Sequence, residues 1–460
     1  MQPEQNVRII TLGCAKNEVD SEEIAGVLRD AGFSVDGQAK AADITIINTC
    51  GFLQKAQDES IEAIKKAVRS RGQGKVIVAG CLAQRMGEEL ARLAPGADAY
   101  IGVGQMGRFD QIVRTTLSSR EQWFDVQPPH HRWANVETRA RTGQPWSAYL
   151  KISEGCDHQC TFCTIPSFRG KHQSKPIERV VAEARNLVRT GAVEINLIAQ
   201  DVTQYGFDLY REFTLPKLLK ELNSIEGLRW IRLLYFYPNR LTDEVIEAIA
   251  SLDKVLPYID IPLQHVHPDT LRRMKRPWDG ERYLRLFEKL RSSIADVAIR
   301  TTFIVGFPGE TEAEFRALLD FTKAAQLDRV GAFHYSREAG TPSYDLPGQV
   351  PQKVKKQRFD QLMRLQQGIS HEINRTFIGK TLPILIDEHR DGWSVGRSFR
   401  DAPEIDGLVF VSGQQAPGTI INPTVVDATP YDLYAHPDGS PDGQKRGLTP
   451  LRMSSPKSPQ

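Results

Sequence analysis

Three cysteines crowd into "EGCDHQCTFC", Glu154 to Cys163, at the spacing CxxxCxxC, and no further cysteine follows in the chain. Closed structural zinc sites take four ligands, commonly in CxxC pairs, so Cys156, Cys160 and Cys163 do not complete a tetrahedral site. A 4Fe-4S cluster fits better. Each of its irons takes one external ligand, and three thiolates leave one iron open to a substrate or cofactor. As bare sequence, the same trio could be buried apolar cysteines, or a zinc knuckle completed by His158. In a reducing compartment, however, closely spaced thiols point to metal.

The remaining three cysteines, Cys14, Cys50 and Cys81, lie far apart, yet each ends an apolar run: "IITLGC", "TIINTC" and "VIVAGC". Any one of them could be a small buried residue at a strand end. If the three runs are parallel strands, their carboxyl ends share the sheet edge at which open α/β folds bind ligands. A second three-cysteine cluster site follows, again one ligand short.

The elements that must hold these thiols are legible in the apolar pattern. Strand-length runs alternate with helical patterns around Ser21–Asp30, Gln54–Arg69 and Arg85–Leu93, which predicts a doubly wound α/β domain over residues 1–125. The stretch "VQPPHHRWANVETRARTGQPWS" interrupts the rhythm and reads as a linker, 126–147. Candidate strands then open at Tyr149, Glu194, Trp230, Tyr258, Ile299 and Val330. Six βα units over 148–370 predict an incomplete (βα)6 barrel with Cys156 at the carboxyl end of its first strand, where barrel enzymes place their chemistry. Short alternating runs with turn signals over 371–437 predict a small antiparallel β-barrel. Residues 438–460, rich in Pro, Gly, Ser and charge, predict a disordered tail.

Composition narrows the class without naming a partner. The chain has 460 residues, 40% hydrophobic and 25% charged, with a formal charge of +2; this is ordinary for a globular protein and gives no strong field toward nucleic acid or a membrane surface. The N-terminus lacks a basic, then apolar, leader, and no run reaches the roughly 20 apolar residues of a bilayer span. The expectation is a cytoplasmic protein without a membrane partner.

CxxxCxxC with Phe162 before the last cysteine resembles the signature of the radical S-adenosylmethionine (SAM) superfamily. The resemblance implies that the amino and carboxylate groups of SAM complete the open iron, and that reductive cleavage gives a 5′-deoxyadenosyl radical. The whole order, an α/β domain with dispersed cysteines, a radical-SAM barrel and a small β-barrel similar to a TRAM domain, resembles the methylthiotransferases. "YLKISEGCDHQCTFCTIPSFRG", "RTTFIVGFPGET" and "VGRSFRDAPEIDG" look like the RimO type, which acts on an aspartate of ribosomal protein S-twelve. The MiaB type, acting on an isopentenylated adenosine of transfer RNA, is the alternative. A different class, an iron-sulfur electron carrier with an RNA-binding barrel, would be expected to carry four cysteines per cluster.

What the resemblance implies is two 4Fe-4S clusters on the six cysteines, SAM as radical source and methyl donor, and sulfur delivered from the Cys14/Cys50/Cys81 site. It also implies an electron donor such as flavodoxin or ferredoxin, and it leaves nucleic-acid contact through the TRAM domain open. No catalytic side chain is assigned beyond the cluster ligands. Glu194 aligns with the superfamily position that contacts the SAM amino group, although alone it is an ordinary strand-edge carboxylate. Gln200, Asp201 and Arg300 are pocket candidates by position, and Gly306 and Gly309 of "GFPGE" could let backbone approach a ligand or could form a plain turn. Between Arg375 and His436 acids outnumber bases, which suits a basic protein partner better than a phosphate backbone, or is only a solvated face.

Overall fold

The computed structural model describes residues 5–36, 42–131, 133 and 139–437. The expected tail, 438–460, lies outside the described residues. No helix among them is long and apolar enough to cross a membrane.

The first sheet is built from β1 (Asn6–Thr11), β2 (Ser34–Val35), β3 (Ile44–Thr49), β4 (Lys75–Gly80), β5 (Ala99–Ile101) and β6 (Trp123–Asp125), ordered β2-β1-β3-β4-β5-β6. Every pairing is parallel. Alternate residues face opposite ways, so Ile44, Ile46 and Ile77 pack with Ile24 and Leu28 of α1 (Ala15–Asp30) on one face. Ile47, Val76 and Val78 pack on the other with Ile64 of α2 (Gln54–Ser70) and Leu82 of α3 (Cys81–Met86). The sheet is doubly wound. Helix α1 begins six residues before the expected Ser21, because Lys16, Asn17, Asp20, Ser21, Glu22 and Glu23 are all buried and erase the apolar period. The expected helix Arg85–Leu93 is two short ones, α3 and Glu88–Leu93, broken at Gly87 with φ +52°.

The barrel uses β7 (Ser147–Lys151), a short antiparallel ribbon of β8 (Ser153–Glu154) and β9 (Gln173–Ser174), then β10 (Glu194–Ile198), β11 (Trp230–Leu233), β12 (Tyr258–Asp260), β13 (Ala298–Val305) and β14 (Arg329–His334). Strands β7-β10-β11 and β12-β13-β14 pair in parallel, and an Ile231–Val255 bridge lies between the two groups. Ile195, Leu197, Ile231, Leu233, Ile259 and Ile299 pack in the main core with the helices. Their polar neighbours Glu194, Arg232, Asp260 and Arg300 fall on the opposite, lumen side by the two-residue alternation.

The last domain contains β15 (Ile384–Arg390), β16 (Trp393–Ser398), β17 (Val409–Ser412), β18 (Ile420–Ile421), β19 (Thr424–Ala428) and β20 (Leu433–His436), ordered β18-β15-β16-β17-β20-β19. Pairs are antiparallel as expected except β17 with β20, which is parallel. The chain before β15 bridges back to β19 through Thr381–Thr424 and closes the barrel. Helix Gln352–Arg375 leads into this domain from the larger barrel.

The turn after β16 closes the amino end of the larger barrel. Arg397 Nη2 lies 2.8 Å from Glu194, Arg232 donates to the Phe399 carbonyl at 2.6 Å, and Tyr258 Oη donates to Asp406 at 2.5 Å. Arg300 Nε is 3.3 Å from Asp406, and Arg329 pairs with Asp401 at 2.7 Å. The stretch "VGRSFRDAPEIDG" is thus an internal seam. Asp387, Asp401, Asp406, Arg397 and Arg400 drop out of the domain's surface charge, which Glu388, Asp391, Glu404, Asp427 and Asp432 share with Arg375, Lys380 and Arg390.

Candidate active site

Cys156, Cys160 and Cys163 sit on the loop after β8, and almost every residue of that loop is fixed by a contact. Gly155, at φ +75°, has no room for a Cβ, which would lie 2.1 Å from the Lys171 carbonyl. Cys156 N donates to Gly170 O at 3.0 Å, and Thr161 N donates to Met274 O at 3.1 Å. Asp157 accepts from Gln204 at 2.6 Å. Phe162, half-buried, packs against Met274, Phe307 and Tyr335. His158 is not aimed at a metal. It bonds Asp201 at 2.7 Å and stacks on Tyr237 with ring centroids 3.6 Å apart.

Cys14, Cys50 and Cys81 do converge. Cys14 caps α1, Cys81 opens α3, and a Cβ on Gly13 would meet Cys50 Sγ at 3.0 Å. Gly80 makes the turn into Cys81 at φ +92°, where a Cβ would lie 2.3 Å from Asn48 Oδ1. Two helix N-termini therefore present their positive ends to the trio, which favours anions. Without iron, burial dominates: the thiols of Cys81, Cys156 and Cys163 are pushed up to about 12 and that of Cys50 is also raised, with neighbouring cysteines of the same trio adding to each rise.

The two trios fit clusters better than single ions. Tetrahedral Zn–S bonds of about 2.3 Å draw sulfurs to within about 3.8 Å of one another. Among the described residues neither trio brings its three sulfurs within 4.8 Å. Each trio also has a guanidinium turned to one sulfur, half-buried Arg276 with Nη1 at 3.8 Å from Cys160 and buried Arg169 with Nε at 3.2 Å from Cys81. Cations at the sulfurs suit an anionic cluster.

Arg169 also joins the two sites. It follows Cys163 by one short helix, Ile165–Arg169. Besides Cys81 it reaches Asn17 Oδ1 at 2.7 Å, Asp20 at 2.8 Å and Glu154. Lys151 pairs with the same two carboxylates. Burial pushes the Glu154 carboxyl up, but Arg169, Lys151 and His131 outweigh it and hold the group well below the usual range. Neither Arg169 nor Glu154 was among the sequence candidates. The signal was available as charges inside the strand-like run "YLKISEG", which a buried strand tolerates only when they are paired.

The pocket candidates divide by which end of the barrel they occupy. Gln200 lies just past β10 at the carboxyl end; its amide donates to Glu154 at 2.7 Å and its buried Oε1 has no partner, leaving an acceptor for a ligand. Asp201 is at the same end but is committed to His158 and to Thr203 N at 2.8 Å. Glu194 and Arg300 must be corrected as cofactor contacts. Glu194 opens β10 at the amino end, bound by Arg397, Arg232 and Ser147, and Arg300 is bound to Asp260 at 2.8 Å and to Asp406. Both face the seam because they stand near the beginning of their strands. Gly306 and Gly309 have φ of +74° and +76°; a Cβ on Gly306 would meet Lys355 at 2.3 Å, and Gly309 N donates to Gly348 O at 2.8 Å. Turn geometry and packing account for both glycines without a cofactor.

A six-stranded parallel half-barrel with a CxxxCxxC loop at its carboxyl end is the arrangement of the Radical SAM superfamily, which residues 150–322 match. Residues 6–102 match the uncharacterized protein family UPF0004, and 378–437 match the TRAM domain. Among solved structures, the radical SAM methyltransferase TsrM from Kitasatospora setae is similar in fold, with a TM-score of 0.53 at 15% identity over 85% of this chain and 80% of its own. The chain is 46% identical over 429 residues to the ribosomal protein uS12 methylthiotransferase RimO of Moorella thermoacetica, covering 93% of this chain and 98% of that one. It is 45% identical over 448 residues to RimO of Chloroflexus aurantiacus, covering 93% and 98%. The chain belongs to the RimO family of radical SAM methylthiotransferases.

Proposed function

We propose that this protein adds a methylthio group to the β-carbon of an aspartate in ribosomal protein uS12. Two supports combine: nearly full-length similarity to relatives of that name, and six cysteines in two trios, one of them contacted at Cys81 by Arg169 of the short helix that follows the other. The juxtaposition of the trios carries the reading. An electron carrier has no use for two sites that each lack a ligand.

Cys156, Cys160 and Cys163 would hold one 4Fe-4S cluster, and Cys14, Cys50 and Cys81 a second. When bound, the clusters and SAM supply the one-electron chemistry that breaks an unactivated C–H bond, for which ordinary acid-base groups are inadequate. The chain supplies positioning. The Gly155 turn and the Thr161 contacts hold the first loop against the barrel mouth, Arg276 and Arg169 neutralise charge at Cys160 and Cys81, and Gln200 offers a buried acceptor to a ligand donor. The amino end of the barrel is sealed by the TRAM domain, so substrate must enter from the cysteine side, where closure against water favours the reaction. We also propose the domain division 1–125, 148–370 and 371–437 with a connector over 126–147, an electron donor of flavodoxin or ferredoxin type, and a TRAM surface suited to a basic protein by its excess of carboxylates.

Anaerobically reconstituted protein should bind about eight irons, two clusters of four. Replacing Cys14, Cys50 and Cys81 with alanine should halve that while reductive cleavage of SAM persists; full iron retention would end the second-cluster reading. Mass spectrometry of uS12 and transfer RNA from cells lacking the gene tests the substrate. A lost nucleoside methylthio group with uS12 unchanged would reverse the assignment.

A further inference from the structure

Lys16 is a cation without a counterpart among the described residues. It is 9% exposed, on the first turn of α1, two residues past Cys14. Among the described residues its ammonium makes no hydrogen bond and no ion pair; it lies over the ring of Tyr235, 3.9 Å from the centroid. Its polar neighbours on α1 are satisfied: Asp20 by Lys151 and Arg169, Glu22 by Arg139 at 2.7 Å, and Asn17 by Leu12 O and Thr49 O. The stem of the side chain is buried while Nζ keeps some access to solvent, so the charge sits in a largely apolar setting that strengthens its pull on an anion able to reach it. An anion that arrives with the substrate would supply the missing partner.

Its position agrees. Tyr235 follows β11 at the carboxyl end of the barrel and holds φ +69°, a conformation a tyrosine adopts only under constraint and one that clusters at functional sites. The charges of Lys16 and Cys14 bear on Tyr235, and two residues on, Tyr237 carries Arg276 over its ring at 4.2 Å and lies in the field of Cys160 and Cys156. The segment Tyr235–Tyr237 thus spans from one trio to the other, with Lys16 over its first residue.

We propose that Lys16 binds the side-chain carboxylate of the target aspartate. This rests on the uS12 reading. The β-carbon to be modified is bonded directly to that carboxylate, so an ion pair to Lys16 would hold the reacting carbon beside Cys14 and Tyr235. It would also select the substrate, because an adenine base carrying an isopentenyl group presents no anion at the reacting carbon. SAM carries a carboxylate too, and the test must separate the two sources.

The test is a double-mutant cycle on reconstituted full-length protein, with recombinant uS12 and its target Asp→Asn variant as probes and affinity measured by calorimetry. Lys16→Met should weaken uS12 about tenfold to a hundredfold, the range for a hydrogen bond to a charged group. Asp→Asn should weaken binding to the wild type by a similar factor and cause no further loss against Lys16→Met. Iron content and the dissociation constant of SAM should stay unchanged, and Lys16→Arg should recover most of the affinity. Equal losses for both uS12 forms, or weakened SAM with uS12 unaffected, would overturn the assignment. If the wild type binds and modifies uS12 while Lys16→Met binds it equally well, the inference alone fails. If the wild type neither binds nor modifies uS12, the functional reading and the inference fall together.

Discussion

Glu194→Gln separates a structural carboxylate from a cofactor ligand. The side chain is fully buried at the start of β10, with Arg397 at 2.8 and 3.1 Å, Arg232 at 3.3 Å and Ser147 at 2.7 Å. Burial pushes its carboxyl up, but the two arginines together prevail and set it at about 2, against 4.5 for the free group. A folded-state value below the unfolded one contributes stability that is present above pH 4.5 and lost as pH falls toward 2. At 1.36 kcal/mol per unit the contribution is about 3 kcal/mol, near the lower bound of the roughly 3–5 kcal/mol for breaking a buried pair. The glutamine variant should lose about that much at pH 7 in urea denaturation of the iron-free protein, and its deficit should narrow below pH 4.5. SAM affinity of the reconstituted variant should match the wild type. A variant within about 0.5 kcal/mol of wild type, the range of an indifferent surface change, or one of normal stability with impaired SAM binding, would refute the seam and restore Glu194 to the active site.

Arg169→Met should cost about 3–5 kcal/mol, because Asp20 and Glu154 would lose the guanidinium they share and keep one strong cation, Lys151, between them; denaturant midpoints check this, and Arg169→Lys should not rescue it, since one ammonium cannot span four acceptors. Gly80→Ala puts a Cβ 2.3 Å from Asn48 Oδ1 at a φ of +92°, so Cys81 should be displaced and about four irons lost, as read by iron analysis. Glu18 is raised to about 7 by burial, with Glu22 and Glu404 adding to the rise and Arg139 and Arg141 opposing it. Its folded value lies above the unfolded one, so its contribution falls as pH rises from 4.5 through 7. Glu18→Gln should flatten that part of the stability profile and leave the protein more stable than wild type at pH 8, measured by denaturation midpoint against pH.

Strands were legible because their apolar runs are continuous, and the placement of the cysteines followed from them. Helix α1 was only half legible: the buried face of its first half is mostly polar, with Lys16, Asn17, Asp20 and Glu22, and such a face has no hydrophobic period to detect. Glu194 and Arg300 were misplaced for a different reason. The apolar runs already set both at the start of their strands, and motif position was given more weight than that, although a few residues at about 3.3 Å each separate the base of the barrel from its mouth. Arg169 was missed because its partners Asn17, Asp20 and Cys81 belong to another domain. The charge count for the last domain anticipated the acidic balance but not that "VGRSFRDAPEIDG" would be turned inward.

The two cysteine trios differ in how they come into being. Cys156, Cys160 and Cys163 belong to one short loop, so their thiols are near one another in the chain before the contacts that fix the loop have formed. Cys14, Cys50 and Cys81 sit at the ends of β1, β3 and β4 and meet only after three strands distant in sequence have paired, an event of much higher contact order. Iron offered to a nascent or partly folded chain therefore meets the later-encoded loop as the readier acceptor. Maturation should run opposite to the order of the cysteines in the gene, with the N-terminal trio filled last through the exposed Cys14.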